Sequence, residues 1–379
     1  MENQLKTIAK KINHQTRLSE QDGIALLTTP DIWQVCQLAH QVRIQKHGLK
    51  TYYNVNRHIN YTNICALSCK FCEFHRKTDQ PGAYQMSIQQ VLQAAQDASD
   101  AGATELHIVG GLHPTLPFQY YTQMLSAIKE KFPHLHLKAF TAVEIVHLAR
   151  ISKRGKDIQA ILKDLKDAGL DSLPGGGAEV FDDRIHDQAF KGKIRSDQWL
   201  QVHRQAHKLG LMTNATMLYG HIESLQDRVK HFCLLREEQD LAIQNKTPGR
   251  FQTIIPLPFF PDGSQLQHLP GPSGLENLRM LAVARLMLDN FQHVKVFWPM
   301  QTLPMAQITL NAGVNDMDGT VVWYDITKLA GVGTHQETTT KDLRNTIIQA
   351  GFKPIERDTL YNPIIRKTQK IKRQTAQPA

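Results

Sequence analysis

The sequence has little of what marks membrane, secreted or disulfide-built proteins. None of its apolar runs approaches the roughly 20 residues of a membrane-spanning helix. The first 17 residues contain neither an apolar signal-peptide core nor a small-residue cleavage site. Only five cysteines occur, an odd and unevenly spread set that argues against a disulfide framework; Cys36 and Cys233, in helix-like segments, are expected to be buried structural thiols. We therefore expect a cytoplasmic protein without a membrane span.

Positive charge is concentrated at the two ends of the chain. Of the net charge of +9, residues 366–379 contribute five Lys or Arg and no acid, and residues 1–17 contribute four against Glu2. The remaining chain is close to neutral, and no aromatic interleaving or recognisable nucleic-acid module accompanies the basic ends. We expect no nucleic-acid partner and interpret the C-terminal tail as a disordered, solubilising segment.

The region from Tyr53 to about Gly333 alternates short β-branched or apolar runs with longer amphipathic segments. Up to eight such units follow one another, from "YNVNRHINYT" through "ELHIVGG" and "HLKAFT" to a weak last strand near "GVNDMDG". Strict alternation predicts a parallel sheet with right-handed crossovers. We therefore predict an α/β fold, a (β/α)8 TIM-type barrel, with a partial (β/α)6 barrel as the alternative because the last two strands are short. A helical extension over residues 1–50 would precede the barrel (51–333), and a C-terminal helix with the basic tail (334–379) would follow it.

Polar and glycine-rich residues follow the predicted strands. Glycine pairs at strand ends let a ligand approach the backbone closely, although a tight βα turn explains any single pair equally well. Four such sites on one predicted face favour a pocket for a cofactor and a substrate. These sites are Gly110 to His113, Thr141 to Glu144, Gly175 to Glu179, and Tyr219 to Glu223.

Three of the five cysteines lie within eight residues, as Cys65-x3-Cys69-x2-Cys72. Structural zinc uses four ligands, usually as two separated pairs, and His75 follows too closely to form a second pair. A [4Fe–4S] cluster also needs four ligands. Three thiolates would hold three irons and leave the fourth iron open to an external ligand, which is a catalytic arrangement.

This spacing, with Phe71 before the last cysteine at the end of the first barrel strand, resembles the radical S-adenosylmethionine (radical SAM) superfamily. The resemblance implies a [4Fe–4S] cluster whose open iron chelates the amino and carboxylate groups of S-adenosyl-L-methionine. Reductive cleavage of the sulfonium bond then yields a 5′-deoxyadenosyl radical, and the protein supplies orientation and exclusion of water. An external electron donor of the flavodoxin or ferredoxin type is implied as well.

Segments further along the chain resemble the aminofutalosine synthase (aminodeoxyfutalosine synthase) family of the futalosine route to menaquinone. The most specific are "GGLHPTLPF", "KAFTAVEI" and "DSLPGGGAE", and the match runs in order from about Arg57 to Pro261. The resemblance implies a transferase that adds the deoxyadenosyl radical to 3-[(1-carboxyvinyl)oxy]benzoate. Rearrangement and loss of bicarbonate would give 6-amino-6-deoxyfutalosine. The alternatives are the related cyclic dehypoxanthinyl futalosine synthases and deazaflavin-forming enzymes, and a non-catalytic iron–sulfur or zinc-binding barrel protein.

The sequence departs from these patterns at three points. Leu112 stands where the superfamily usually has an acid after two glycines, and Glu73 replaces a small residue after the last cysteine. In the last unit, Val314-Asn315 replaces Ala-Asp and Trp323-Tyr324 replaces an acidic pair of the family pattern. These changes leave the contribution of the last strand open.

The resemblance and the predicted strand ends together give candidate site residues. The metal ligands are Cys65, Cys69 and Cys72, and the cofactor-binding candidates are Phe71, Gly110, Gly111, Glu144, Gly176, Gly177 and Glu179. The two substrate carboxylates require cations or strong donors, for which the candidates are Arg57, His58 and Arg76, with Lys138 also near a strand end. His113 and His221 are the candidates for proton transfer, because the pKa of histidine lies near neutrality.

Overall fold

A computed structural model of the chain describes residues 2–152, 157–321 and 337–366. Trp323, Tyr324 and the basic tail beyond Arg366 lie outside the described residues. The strands are β1 Lys50–Tyr53, β2 Asn56–Ile59, β3 Glu105–Ile108, β4 His136–Ala139, β5 Ser172–Leu173, β6 Met212–Tyr219, β7 Phe251–Pro258, β8 His293–Val296, β9 Asp316–Met317 and β10 Lys353–Glu356. The helices are α1 Glu2–Asn13, α2 Glu20–Thr28, α3 Ile32–His47, α4 Ile88–Asp100, α5 Phe118–Lys131, α6 Ala142–Ile151, α7 Ile158–Asp167, α8 Asp183–Ala189, α9 Ser196–Lys208, α10 Leu225–Gln244, α11 Gly274–Met287, α12 Trp298–Gln301, α13 Leu303–Thr309 and α14 Thr340–Gln349.

The ten strands form one parallel sheet in the order β10-β1-β9-β8-β7-β6-β5-β4-β3-β2. Strands β2 to β9 follow chain order and coincide with the eight predicted units, and the predicted α/β barrel architecture is confirmed. Within the described residues no backbone ladder joins β2 to β9, so the sheet is a curled, partial barrel. Side-chain contacts span the gap, since Asn56 donates to Asp318 Oδ1 (3.1 Å) and accepts from the Val321 amide (3.1 Å).

The strands are short and mostly buried, as expected for a parallel sheet covered by helices. Every residue of β8 and all but one in each of β6 and β7 are buried. The alternation of side chains along each strand sends one set outward to the helices and the other into the barrel. The inward set includes His58, Thr216, Lys295 and Phe297, which share one cavity.

The segment after β10 covers the end of the barrel where β8 and β9 begin. Arg357 donates to both carboxylate oxygens of Asp316 (3.1 and 2.7 Å), and the Tyr361 hydroxyl donates to Oδ2 of the same residue (2.6 Å). The Tyr361 ring also stacks on His293, with centroids 3.5 Å apart. The segment therefore covers the barrel at the start of β8 and β9. Among the described helices, none has the length and apolar composition needed to span a membrane.

Candidate active site

The three clustered cysteines lie on a loop that is closed at its base. We call residues 64–76 the cysteine loop. Ile64 pairs with Arg76 in a parallel bridge, the Cys65 amide donates to the Arg76 carbonyl (3.0 Å), and the Arg76 amide donates to the Asn63 carbonyl (2.9 Å). The Lys77 ammonium donates to the Cys65 carbonyl (2.9 Å). The hydrogen-bonded base directly follows β2, so the barrel fixes where the loop begins and ends.

Cys65, Cys69 and Cys72 all line the same cavity, which has a volume of about 260 Å³. Burial raises the pKa of Cys69, and it raises the pKa of Cys72 to about 11. Among the described residues, no three His, Cys, Asp or Glu side chains converge as the ligands of a single metal ion do. In a [4Fe–4S] cluster each thiolate binds a different iron, so the sulfurs stand farther apart. Three thiols on one loop facing one cavity therefore fit the donor set of such a cluster.

Gly110 and Gly111, which follow β3, allow the cysteine loop to pack against the end of that strand. A Cβ on Gly111 would lie 2.3 Å from the Ile64 carbonyl oxygen, and one on Gly110 would lie 2.8 Å from the Tyr61 ring. Side chains cannot be accommodated at such distances without moving the backbone. Both glycines also line the cavity. They are required because the segment leading into the cysteine loop packs closely against the end of β3.

The Glu144 carboxylate holds the ends of β3 and β4 together. Its Oε2 accepts from the amide (2.7 Å) and hydroxyl (2.8 Å) of Thr141, forming a capping box at the start of α6. Its Oε1 accepts from the Tyr61 hydroxyl (2.8 Å) and the Gly110 amide (3.0 Å). Burial raises the pKa of Glu144, although these hydrogen bonds oppose the shift by favouring the carboxylate. Glu144 thus positions Gly110 at the cavity wall.

Glu179 and Lys193 form a buried ion pair beside the cysteine loop. Glu179 has a left-handed backbone (φ 46°), which is uncommon outside glycine and directs its side chain toward Lys193. The Lys193 ammonium lies 5.0 Å from the centroid of the Phe71 ring. Burial acts to lower the pKa of Lys193, but Glu179 and the Cys69 thiol outweigh it, so the pKa is raised. A permanent positive charge therefore stands next to the thiols.

Most of the residues predicted from the sequence come together in this cavity. Those that line it are Cys65, Cys69, Phe71, Cys72, His58, Gly110, Gly111, Glu144, Gly176, Gly177 and Glu179. The predicted Lys138 lines it as well. Arg57, Arg76, His113 and His221 are not among the lining residues.

The two predicted arginines make local contacts instead. Arg57 is adjacent to His58 in β2, and strand alternation places it on the opposite face, where it donates to Thr320 Oγ1 (2.7 Å). Arg76 donates to the carbonyls of Glu73 (2.6 Å) and His75 (2.9 Å) within the cysteine loop. A substrate contact for either residue stays a prediction.

The two predicted histidines cap nearby backbone groups. Nδ1 of His113 accepts from the Leu116 amide (3.1 Å), ordering the turn before α5. The buried His221 side chain lies between the Leu218 carbonyl (3.1 Å from Nε2) and Glu223 Oε2 (3.1 Å from Nδ1). Burial lowers the pKa of both imidazoles. Proton transfer by either residue likewise stays a prediction.

Buried charges in and beside the barrel strands were mostly not predicted from the sequence. We call Glu105, Lys138, Lys295 and Asp318 the floor; the last three line the cavity, and Glu105 lies behind Lys138 as its hydrogen-bond acceptor. Lys138 donates to Glu105 Oε1 (2.5 Å), and the Lys295 ammonium lies 3.7 Å from Asp318 Oδ1. All four side chains are at most 7% exposed. A lysine within an otherwise apolar buried strand, as in "HLKAF" and "HVKVF", was the available signal.

Two neutral imidazoles adjoin the floor. His58 and His107 stack with ring centroids 4.5 Å apart and an interplanar angle of 14°. Burial lowers the pKa of His58 to about 4 and places the pKa of His107 well below its ordinary value. Both rings are therefore uncharged near pH 7 and contribute polar groups without adding to the charge of the floor.

Comparison with known families identifies the superfamily to which this chain, with its cysteine loop at the mouth of a barrel, belongs. The family model for the radical SAM superfamily matches residues 59–235, and that for the CofH/MqnC C-terminal region matches residues 248–370. The chain belongs to the radical SAM superfamily. It is therefore an enzyme of the class that the cysteine spacing indicated.

Individual proteins of this superfamily are similar to the chain along most of its length. The aminodeoxyfutalosine synthase of Thermus thermophilus is 43% identical over 361 residues, covering 94% of this chain and 95% of the relative. A 5-amino-6-(D-ribitylamino)uracil–L-tyrosine 4-hydroxyphenyl transferase of Methanopyrus kandleri is 37% identical, covering 88% and 90%. The crystal structure of methylornithine synthase superimposes with a TM-score of 0.70 at 17% identity, covering 92% of this chain and 97% of that one. This last similarity concerns the fold alone.

Proposed function

We propose that this radical SAM enzyme catalyses the aminodeoxyfutalosine synthase reaction. The 5′-deoxyadenosyl group of S-adenosylmethionine adds to the enol-ether double bond of 3-[(1-carboxyvinyl)oxy]benzoate. The adduct rearranges onto the aromatic ring, the enolpyruvyl carboxylate leaves as bicarbonate, and the product is 6-amino-6-deoxyfutalosine. The observation that carries the proposal is the 43% identity, along nearly the whole of both chains, to the Thermus enzyme of that name.

Cys65, Cys69 and Cys72 would hold a [4Fe–4S] cluster at the rim of the cavity. A cluster held there and reduced by a flavodoxin- or ferredoxin-type donor would supply the electron for reductive cleavage of S-adenosylmethionine into methionine and the 5′-deoxyadenosyl radical. The contribution of this chain is to hold the thiols on a closed loop and to place the Lys193 ammonium near them, where it opposes part of the increase in the thiol pKa that burial causes. Phe71, within the loop, packs edge to face on Phe190, which follows α8, with ring centroids 5.0 Å apart.

The cavity suits an aromatic substrate that carries charge at its ends. Apolar side chains of Val109, Ile255, Leu257 and Phe297 line its middle, between the cysteine loop and the floor. Such a wall packs against an aromatic ring and excludes water from a reactive radical. The two ends of the cavity are polar, as a dicarboxylate requires.

A second reaction is favoured by one observation. The Methanopyrus transferase, named for a tyrosine-derived group and a ribitylaminouracil, is 37% identical over 88% of this chain. Its substrates are also aromatic, and the apolar middle of the cavity does not discriminate between them. The two reactions therefore need a direct comparison.

Product analysis tests the proposal. The chain is reconstituted anaerobically with iron and sulfide and incubated with reductant, S-adenosylmethionine and either the enolpyruvyl benzoate or L-tyrosine with 5-amino-6-(D-ribitylamino)uracil. We expect an adenosine-containing adduct only with the first substrate. Release of 5′-deoxyadenosine without such an adduct would overturn the proposal, and product from the second mixture would establish the alternative reaction. A Cys69→Ala variant provides the control without the cluster.

A further inference from the structure

Lys295, on β8, holds an ammonium group at the floor of the cavity that makes no hydrogen bond to any described residue. We propose that it binds the ring carboxylate of the aromatic substrate. The inference rests on the proposed function and deepens it, since it assigns one end of the substrate to one residue. Nothing in the cysteine motif or in the predicted strand ends pointed to this lysine.

Within the described residues, the hydrogen-bonding capacity of Lys295 is unused. Its side chain is 2% exposed, yet the nearest carboxylate oxygens, on Asp318 and Asp316, are 3.7 and 4.0 Å from its Nζ. Both distances exceed the 2.7–3.2 Å of an N–H···O hydrogen bond. By contrast, Lys138 donates to Glu105 at 2.5 Å. An ammonium has three donors, and leaving them without acceptors in a buried place costs free energy.

The neighbouring carboxylates are already engaged by other donors. Asp316 accepts from Arg357 at 3.1 and 2.7 Å and from the Tyr361 hydroxyl at 2.6 Å. Asp318 Oδ1 accepts from Asn56 Nδ2 at 3.1 Å. Asp316 is not among the residues that line the cavity, and Asp318, which does line it, is shared with Asn56 of β2. Lys295 therefore compensates part of their charge at a distance while its own N–H groups remain available.

The position of Lys295 determines which of the two substrate carboxylates it can contact. Strand alternation puts Lys295 on the same face of β8 as Phe297, which follows it toward the mouth and lines the apolar middle. The reacting double bond must lie near the cysteine loop, where the deoxyadenosyl group is generated. The enolpyruvyl carboxylate is attached to that double bond, so it stays near the rim. The ring carboxylate lies across the aromatic ring and extends to the floor.

The assignment is tested by measuring how tightly two proteins, with and without Lys295, bind two ligands, with and without the ring carboxylate. Wild type and Lys295→Met, both carrying the cluster and S-adenosylmethionine but no reductant, are titrated by equilibrium dialysis. The two ligands are the enolpyruvyl benzoate and 2-phenoxyacrylate, the same molecule without its ring carboxylate. We expect Lys295→Met to bind the benzoate about 10- to 100-fold more weakly, the range for a charge-assisted hydrogen bond. The same change should leave binding of 2-phenoxyacrylate within about twofold of wild type.

Each outcome of these titrations decides between specific explanations. Equal weakening for both ligands means that Lys295 only offsets the charge of Asp316 and Asp318, and it overturns the inference while wild-type turnover leaves the proposed function intact. Absence of both binding and turnover of the benzoate in wild type overturns the proposed function and this inference together.

Two further variants separate binding from folding. If Lys295→Met does not fold, the double variant Lys295→Met with Asp318→Asn removes one charge of each sign from the floor and is titrated in its place, with the same expected selectivity. Lys129→Met is the matched control, because Lys129 pairs with Asp171 (2.6 Å) on the outside of the barrel. Its affinity for both ligands should equal that of wild type.

Discussion

Gly111→Ala should displace the cysteine loop and reduce the amount of cluster that the chain binds. The added Cβ would lie 2.3 Å from the carbonyl oxygen and 2.8 Å from the carbonyl carbon of Ile64, the residue immediately before Cys65. It would also lie 3.1 Å from the Asn63 carbonyl carbon. All three atoms belong to backbone, so no side-chain rotation relieves the overlap, and the base of the loop has to move.

The size of the effect follows from two opposing contributions. Forcing an extra methyl group into a well-packed site costs about 1–3 kcal/mol. Replacing glycine by alanine also restricts the unfolded chain, which stabilises the fold by about 0.4–1 kcal/mol. Gly111 does not have a positive φ, so no conformational strain adds to the overlap. We expect a net decrease of about 1–2 kcal/mol in the free energy of unfolding.

Two measurements on the same variant check this reasoning. Urea unfolding of the apo chain gives the stability change, and iron and sulfide analysis after anaerobic reconstitution gives the cluster content. Gly274→Ala is the matched control, because its Cβ would meet nothing within 4 Å at the start of α11. It should be neutral or slightly stabilising and bind a full cluster. Full iron content and unchanged stability in Gly111→Ala would refute the argument that the glycine is required by packing.

Three other changes have defined outcomes. Alanine at any one of the three loop cysteines should abolish cluster binding by iron analysis, whereas Cys36→Ala and Cys233→Ala should retain it; iron retained in all three loop variants would contradict the ligand assignment. Burial lowers the pKa of His58 to about 4 and of His207 to about 3, so these histidines are protonated at a lower pH in the folded chain than in the unfolded chain. The contribution of these two neutral histidines to the free energy of unfolding should therefore be complete above about pH 6.5. Below that pH, the free energy of unfolding should fall toward pH 4 by about 1.4 kcal/mol per pH unit for each histidine. Urea midpoints that do not change with pH would exclude this. Lys193→Met leaves a buried carboxylate unpaired and should lower the free energy of unfolding by about 3 kcal/mol in urea, so an unchanged midpoint would show that the ion pair is not structural.

The sequence predicts the barrel strands better than the two strands outside the barrel. Strands β2 to β9 coincide with the predicted units because each lies in a short segment that precedes an amphipathic helix and ends in glycine or polar residues. Strands β1 ("KTYY") and β10 ("KPIE") were missed. They pair with each other at one end of the sheet, and Pro354 in β10 is typical of an edge strand. Two of the four residues of β1 and one of the four in β10 are buried, so neither strand shows the apolar run on which the prediction relied.

The spacing of the cysteines predicted the loop, but not the direction of single side chains. Arg57 and His58 were both expected to face the substrate, and only His58 lines the cavity. Neighbouring residues of a strand point to opposite faces, so this distinction depends on the phase of a four-residue strand. His113 and His221 follow strands as predicted, yet their rings turn back to the local backbone. Such turns depend on tertiary packing that no spacing rule records.

The charged floor shows why a residue such as Lys295 emerges only from the folded structure. In the sequence it is one lysine in an apolar strand, and the simplest reading is a charge paired by a neighbour. The partners that engage its nearby carboxylates come from distant parts of the chain: Arg357 lies 41 residues from Asp316, and Asn56 lies 262 residues from Asp318. Once those donors are in place, the carboxylates have fewer oxygens to offer, and Lys295 lines the cavity without a hydrogen bond to any described residue. A buried charge without a hydrogen-bonding acceptor is retained at a cost in stability, and binding an anionic substrate offsets that cost.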